Sequence, residues 1–251
     1  MLYQHVLAAC LVARHAIAPF YERLVVEKDE DIEVACTGAR HYLQVKAVEG
    51  LVFSHLYGML LRMHDARMRH HAGERAGDCK LYLVSGGTLG PELAYQRLDA
   101  IVLEKVRILA RESALDEVAL VETWRAIEFV TPGSQLPALG STRVLAGVVP
   151  QLAYLVEIVV KVTRLASAPV ASAYALVTSM HALAADSLGG FTARIVQASD
   201  TPRLIEVVRR QVEPLPELPV HFVPLPLAAS MFVPGQHCVL LGDSGSASLP
   251  N

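Results

Sequence analysis

Along the first 130 residues the spacing of apolar positions changes several times, and each change predicts an element. Leu2, Val6, Ala9 and Ala13 recur at intervals of three and four, which is helical, and Pro19 stops the helix at about residue 18. Leu24 to Val26 is a short apolar strand, and Ile32 to Cys36 is a second. Thr37-Gly38-Ala39-Arg40 is a turn, and Tyr42 to Val48 alternates as a third strand, so the second and third form a hairpin. Leu51 to His70 reads as a helix with Leu51, His55, Gly58, Met59, Arg62 and Met63 on one side. Lys80 to Ser85 is a strand broken by Gly86-Gly87-Thr88, and Pro91 to Arg111 a helix. Leu115 to Ala126, with the only tryptophan, Trp124, is a further helix. Ile127 to Val130 is a strand ended by Thr131-Pro132-Gly133. Helix, three strands, helix, strand, helix predicts an α/β fold with one mixed sheet flanked by helices.

Beyond residue 130 the pattern is mainly helical. Leu152, Leu155, Val156, Val159 and Val160 form a stripe within 150–165, with Glu157, Lys161 and Arg164 opposite. Helices are also expected at Val170–Leu183 and Pro202–Val212. From Pro214 proline is dense, which predicts an extended linker. The division that follows is 1–130 as an α/β domain, 131–213 as a helical region for oligomerisation or coupling, and 214–251 as a linker and tail. The stripe at 152–160 fits a homo-oligomer interface, although such a stripe is more often core.

Composition narrows the classes. With 53% hydrophobic and 19% charged residues the chain can bury a sizeable core and is not intrinsically disordered. A net charge of -3 gives no global basic field, so any nucleic-acid site must be a local patch. Cys10, Cys36, Cys79 and Cys238 are scattered without metal spacing or a disulfide framework, and a cytoplasmic location is the simplest expectation. The mean hydropathy of +0.37 raises the question of a membrane span. The longest uncharged stretch, Leu165 to Ala185, is interrupted by Ser167, Pro169, Ser172, Thr178, Ser179 and His181, so no membrane insertion is expected. Gln4, His5, Arg14 and His15 interrupt the N-terminus too often for a secretion signal.

One segment carries candidate chemistry. Asp31 opens a strand after the acidic run Glu27-Lys28-Asp29-Glu30. Thirteen residues later, on the paired strand, stands Gln44-Val45-Lys46. A period of two puts Gln44 and Lys46 on one face. A carboxylate and an amide oxygen suit Mg²⁺ (or Mn²⁺), which prefers oxygen ligands. An ammonium beside them suits phosphodiester hydrolysis, where it positions water and offsets transition-state charge. Glu27 is placed to act as an auxiliary acid. A plain solvated edge hairpin would leave an inward lysine without a partner.

These residues resemble the PD-(D/E)xK nuclease superfamily in its Gln-x-Lys variant. More narrowly they resemble the endonuclease domain of CD-NTase-associated nucleases, a domain also fused to STAND NTPases in anti-phage defence. Leu2-Tyr3-Gln4, Glu27 to Val34 and Tyr42 to Lys46 carry the resemblance, which covers about residues 1–130. It implies a restriction-endonuclease-like αβββαβ core and a metal-dependent endonuclease cutting double-stranded DNA as an effector of anti-phage defence. Asp31, Gln44, Lys46 and Glu27 would be the catalytic set, and Asp31, Gln44 and Val45 the metal positions. The first helix carries no acid, so any family ligand there would be replaced by Gln4 or dispensed with.

Two further features extend this picture. Arg62, Arg67, Arg69, Arg75 and Lys80 stand against Asp65, Glu74 and Asp78, with His64, His70 and His71 among them. Arg62, Arg67, Arg69 and Lys80 are the expected DNA contacts, whereas adjacent His70 and His71 diverge too far on a helix to share a metal. The tail, Cys238 to Ser248, runs an apolar strand into Gly242-x-x-Gly245 but has Ala247 and Ser248 where a P-loop needs Gly and Lys, so no ATP binding is expected. The resemblance implies an NTPase or sensor module as partner. The alternative is a catalytically inactive nuclease-fold protein that binds partners through its helical region.

Overall fold

The computed structural model describes residues 2–26, 31–46, 48, 50–131, 152–192 and 194–213. Six strands form one mixed sheet in the order β5-β4-β3-β2-β1-β6. The strands are β1 (Arg23–Val26), β2 (Ile32–Cys36), β3 (Ala39–Lys46), β4 (Asp78–Ser85), β5 (Ile127–Val130) and β6 (Ile195–Gln197). β1, β2 and β3 are antiparallel neighbours, β3, β4 and β5 are parallel, and β6 closes the β1 edge antiparallel. The helices are α1 (Leu2–Ile17), α2 (Tyr57–His71), α3 (Pro91–Ala94), α4 (Ala100–Glu112), α5 (Glu117–Ala126), α6 (Leu152–Thr163), α7 (Pro169–Ala184) and α8 (Thr201–Val212). Through β4 the order is αβββαβ, as expected.

Strand alternation divides the interior into two cores. Leu43, Val45, Tyr82 and Val84 face one way and pack with α1, α6, α7 and α8. Tyr42, Leu81 and Leu83 face the other way and pack with α2, α4 and α5. On α1 buried residues run consecutively from His5 to Ala13, because the helix lies between the sheet and α6–α8. The stripe at 152–160 has its place here: Leu155 and Val159 are buried against this core, with Ile158 beside them. The described part of 131–213 therefore shares a core with α1 and β1. A single compact unit runs from Met1 to Glu213. The expected linker and tail, 214–251, lie outside the described residues.

Some elements differ from the spacing-based expectation. The 51–70 helix begins as a 3₁₀ turn, Phe53–Leu56, and its buried positions are Leu56, Met59, Leu60, Met63 and Ala66, while Gly58, His55 and Arg62 are exposed. The 91–111 helix is two, because Asp99 caps a new start, its Oδ1 accepting from Ile101 N at 2.9 Å and Val102 N at 3.0 Å. No helix among the described residues is long and apolar enough to cross a membrane, in line with the reading of 165–185. Gly77 is required where β4 enters the sheet. Its φ is +87°, and an added Cβ would lie 3.0 Å from the Gly38 carbonyl, which accepts from Asp78 N at 2.9 Å.

Candidate active site on the sheet face

The candidate site lies where β3 and β4 end side by side. Ile32 pairs with Leu43, so one step further the antiparallel register sets Asp31 opposite Gln44. The Asp31 carboxylate accepts from the Gln44 amide nitrogen and, at 2.7 Å, from the Val45 backbone N–H. Gln44 is buried, and its oxygen accepts from Arg62 at 2.6 Å. Asp31, Gln44 and Arg62 thus form one hydrogen-bonded chain across β2, β3 and α2.

Backbone geometry places two more groups. In a strand the N–H and C=O of one residue leave by the same edge. The Val45 carbonyl therefore points past the end of β2, beside Asp31, while the Lys46 carbonyl points to β4 and accepts from Gly86 N at 2.7 Å. Lys46 follows Gln44 on the same face and is partly exposed. The expected Asp31, Gln44 and Lys46 are therefore brought together on one face of adjacent strands. Val45 contributes backbone only, since its side chain lies in the opposite core. Glu27 lies outside the described residues.

Gly86 shapes the opposite face of the sheet, behind the site. An added Cβ there would lie 2.7 Å from Tyr3 Cζ, so its absence lets the start of α1 sit against the end of β4. Burial, reinforced by the nearby Cys10, pushes the Tyr3 phenol up to about 12, so it stays protonated. The loops after β3 and β4 are tied together, Leu51 N donating to Thr88 O at 3.1 Å and Gly90 N to Leu51 O at 2.9 Å.

The four expected DNA contacts separate. Arg62 reaches the site. Arg67 is turned to α5, donating to Thr123 Oγ1 and pairing with Glu122, both at 3.4 Å. Arg69 pairs with Asp65 at 2.6 Å, and Lys80 with Asp78 at 3.7 Å. Lys80 is level with His41 and Lys46 with Ser85, so Lys80 lies about 16 Å along the strands from Lys46. His70 donates its Nδ1 proton to Gly77 O at 2.9 Å.

Spacing alone passed over a second polar cluster on the same face. Glu33 is buried two residues after Asp31. Arg40 at 2.9 Å and Arg23 at 3.3 Å both meet its Oε1, and Arg75 lies 3.8 Å from Oε2. Tyr42, opposite Glu33, accepts from Arg75 at 2.7 Å and donates to His70 Nε2 at 3.0 Å, the role left to it by the Nδ1 proton. The signal was present: 40, 42, 44 and 46 share one parity, as do 31 and 33.

Among the described residues no group of three or more His, Cys, Asp or Glu side chains forms a metal-holding cluster. The candidate set instead holds one carboxylate, one amide and one backbone carbonyl. These are all oxygen donors of the kind Mg²⁺ takes alongside water and substrate phosphate. The set fits Mg²⁺ once the Gln44 amide is turned so that its oxygen faces Asp31, which releases Arg62.

No family model matches the chain, and no curated protein matches it. Solved structures of a Cap4 SAVED/CARF-domain containing receptor of Acinetobacter baumannii are distantly similar. The structure with the cyclic trinucleotide 2′3′3′-cAAA is 14% identical with a TM-score of 0.46, covering 83% of this chain and 44% of that one. The structures of the receptor without a named ligand and with 3′3′3′-cAAA are each 13% identical with the same TM-score of 0.46. The chain spans less than half the length of each of these receptors.

Proposed function

We propose that this chain is a metal-dependent endonuclease that hydrolyses phosphodiester bonds of double-stranded DNA, serving as an effector in anti-phage defence. The observation that carries the reading is the convergence of Asp31, the Gln44 amide, the Val45 backbone and Lys46 on one sheet face. The defence role rests on the family resemblance of residues 1–130. Asp31, the Val45 carbonyl and a turned Gln44 would hold Mg²⁺ or Mn²⁺, which would supply Lewis-acid stabilisation at the scissile phosphate. Lys46 would hold the attacking water by its ammonium and offset the charge that grows on the phosphate oxygens as the ester bond breaks. Asp31, already accepting from Val45 N–H, is held in place without side-chain rearrangement.

The test is nicking of supercoiled plasmid with Mg²⁺ and with chelator. D31A and K46A should abolish nicking, and Q44E should remain active because it offers a carboxylate at the same point. K46A cutting at the wild-type rate would overturn the reading. The competing reading, an inactive interaction protein, is favoured by one contact: Arg62 occupies the Gln44 oxygen, so Asp31, Gln44 and Arg62 satisfy one another without metal. A wild-type chain that never nicks in either metal would favour it.

A further inference from the structure

We propose that the arginine cluster around Glu33 binds the phosphodiester backbone of the duplex; the choice of duplex as ligand rests on the nuclease reading. Glu33 follows Asp31 by two residues, so it lies on the same face about 7 Å further along β2. Arg40 stands four residues before Gln44, about 13 Å along β3. The cluster therefore continues the Asp31–Gln44–Lys46 face away from the strand ends.

Among the described residues, Arg23 and Arg40 meet one acid between them. Arg23 and Arg40 share a single carboxylate oxygen, and that carboxylate is buried, with 7% of its side chain exposed against 34% and 27% for the two arginines. One carboxylate between two guanidiniums positions them but neutralises only one. A guanidinium has five N–H donors in a planar fork, so an edge can rest on Glu33 while another is presented outward. Arg75 is oriented by the Tyr42 hydroxyl, itself fixed through His70 and the Gly77 carbonyl. By contrast Arg67, Arg69 and Lys80 are each matched with an acid of their own, Glu122, Asp65 and Asp78. Excess positive charge on an ordered platform, in a chain of net charge -3, suits phosphate contacts that carry no base preference.

The experiment measures anisotropy of a short fluorescent duplex over a range of KCl, with the full chain and chelator present so that nothing is cut. R40Q should lower the slope of log affinity against log salt by about 0.9, the value of one phosphate contact, and R23Q/R40Q by about 1.8. The loss should be equal for two unrelated sequences, and R67Q, whose charge is already matched, should leave the slope unchanged. Folded R40Q with wild-type slope and affinity overturns the proposal. If R40Q does not fold, R40K is read instead. It should keep the slope and lose affinity severalfold, and unchanged affinity overturns the proposal. A chain that shows the R40Q effect but never nicks keeps this inference and removes the nuclease reading. A chain that nicks with an R40Q-insensitive slope does the reverse.

Discussion

At the residue scale, the face of β3 turned away from the candidate site holds a group that must stay neutral. His41 is buried on β3, its Nδ1 3.2 Å from the Tyr82 hydroxyl, and burial together with the Lys80 charge lowers its pKa to about 4. The unfolded chain, with its histidine near 6.5, binds more protons than the folded one between these values. Stability is therefore complete above about pH 6.5 and is lost as pH falls toward 4. His15, His64 and His70 are shifted the same way by burial, so their contributions add in sign. The urea midpoint should fall between pH 7 and pH 4.5, with His41 contributing at most about 3 kcal/mol, and His41→Gln should flatten the profile. A midpoint independent of pH would contradict the buried neutral His41.

At the scale of elements, α4 shows how a single polar residue sets a boundary. Ala100–Glu112 begins where Asp99 turns its carboxylate back on two backbone N–H groups. Asp99→Ala should cost about 1 kcal/mol, and Asp99→Asn should recover most of it. For a unit of this size that is a drop of about 3 °C in the thermal midpoint, measurable by circular dichroism. α2 carries two roles on one helix. Met59, Leu60 and Met63 hold it to the core, while exposed Arg62 reaches down to Gln44 near one end and His70 to Tyr42 near the other. The helix is thus pinned along β3 at both ends of the polar face, and the spacing of Gln44 and Tyr42 is fixed with it.

At the scale of the molecule, α6–α8 cover the apolar side of α1, and β6 pairs with β1. A chain ended at residue 131 would uncover the side of α1 that packs on α6–α8, where His5 meets His181, and leave the β1 edge unpaired. Each fully buried leucine returned to water costs about 2 kcal/mol, so few such exposures exceed the stability of a domain. Residues 1–131 expressed alone should be insoluble or lack a cooperative unfolding transition. A soluble monomer with a sharp transition would show that the first 131 residues stand alone.

Periodicity and punctuation determined much of this protein without help from its tertiary structure. The αβββαβ order is legible because each element buries a face with its own spacing, and Pro19, Gly38 and Gly86 interrupt the runs. The pairing of Asp31 with Gln44 and the shared face of Gln44 and Lys46 are also legible, since a hairpin register and a period of two are local properties. Spacing could not tell which charges meet. Arg23, Arg40 and Arg75 come from a strand start, a hairpin and a helix-following turn, and only the stacking of β1, β2 and β3 brings them to Glu33. The three-residue β6 is too short to carry a pattern, and its strand conformation depends on an open edge of β1. The apolar stripe of α6 shows the same limit. Amphipathic spacing says that a face will be buried, but only the packed chain decides that its cover is α1.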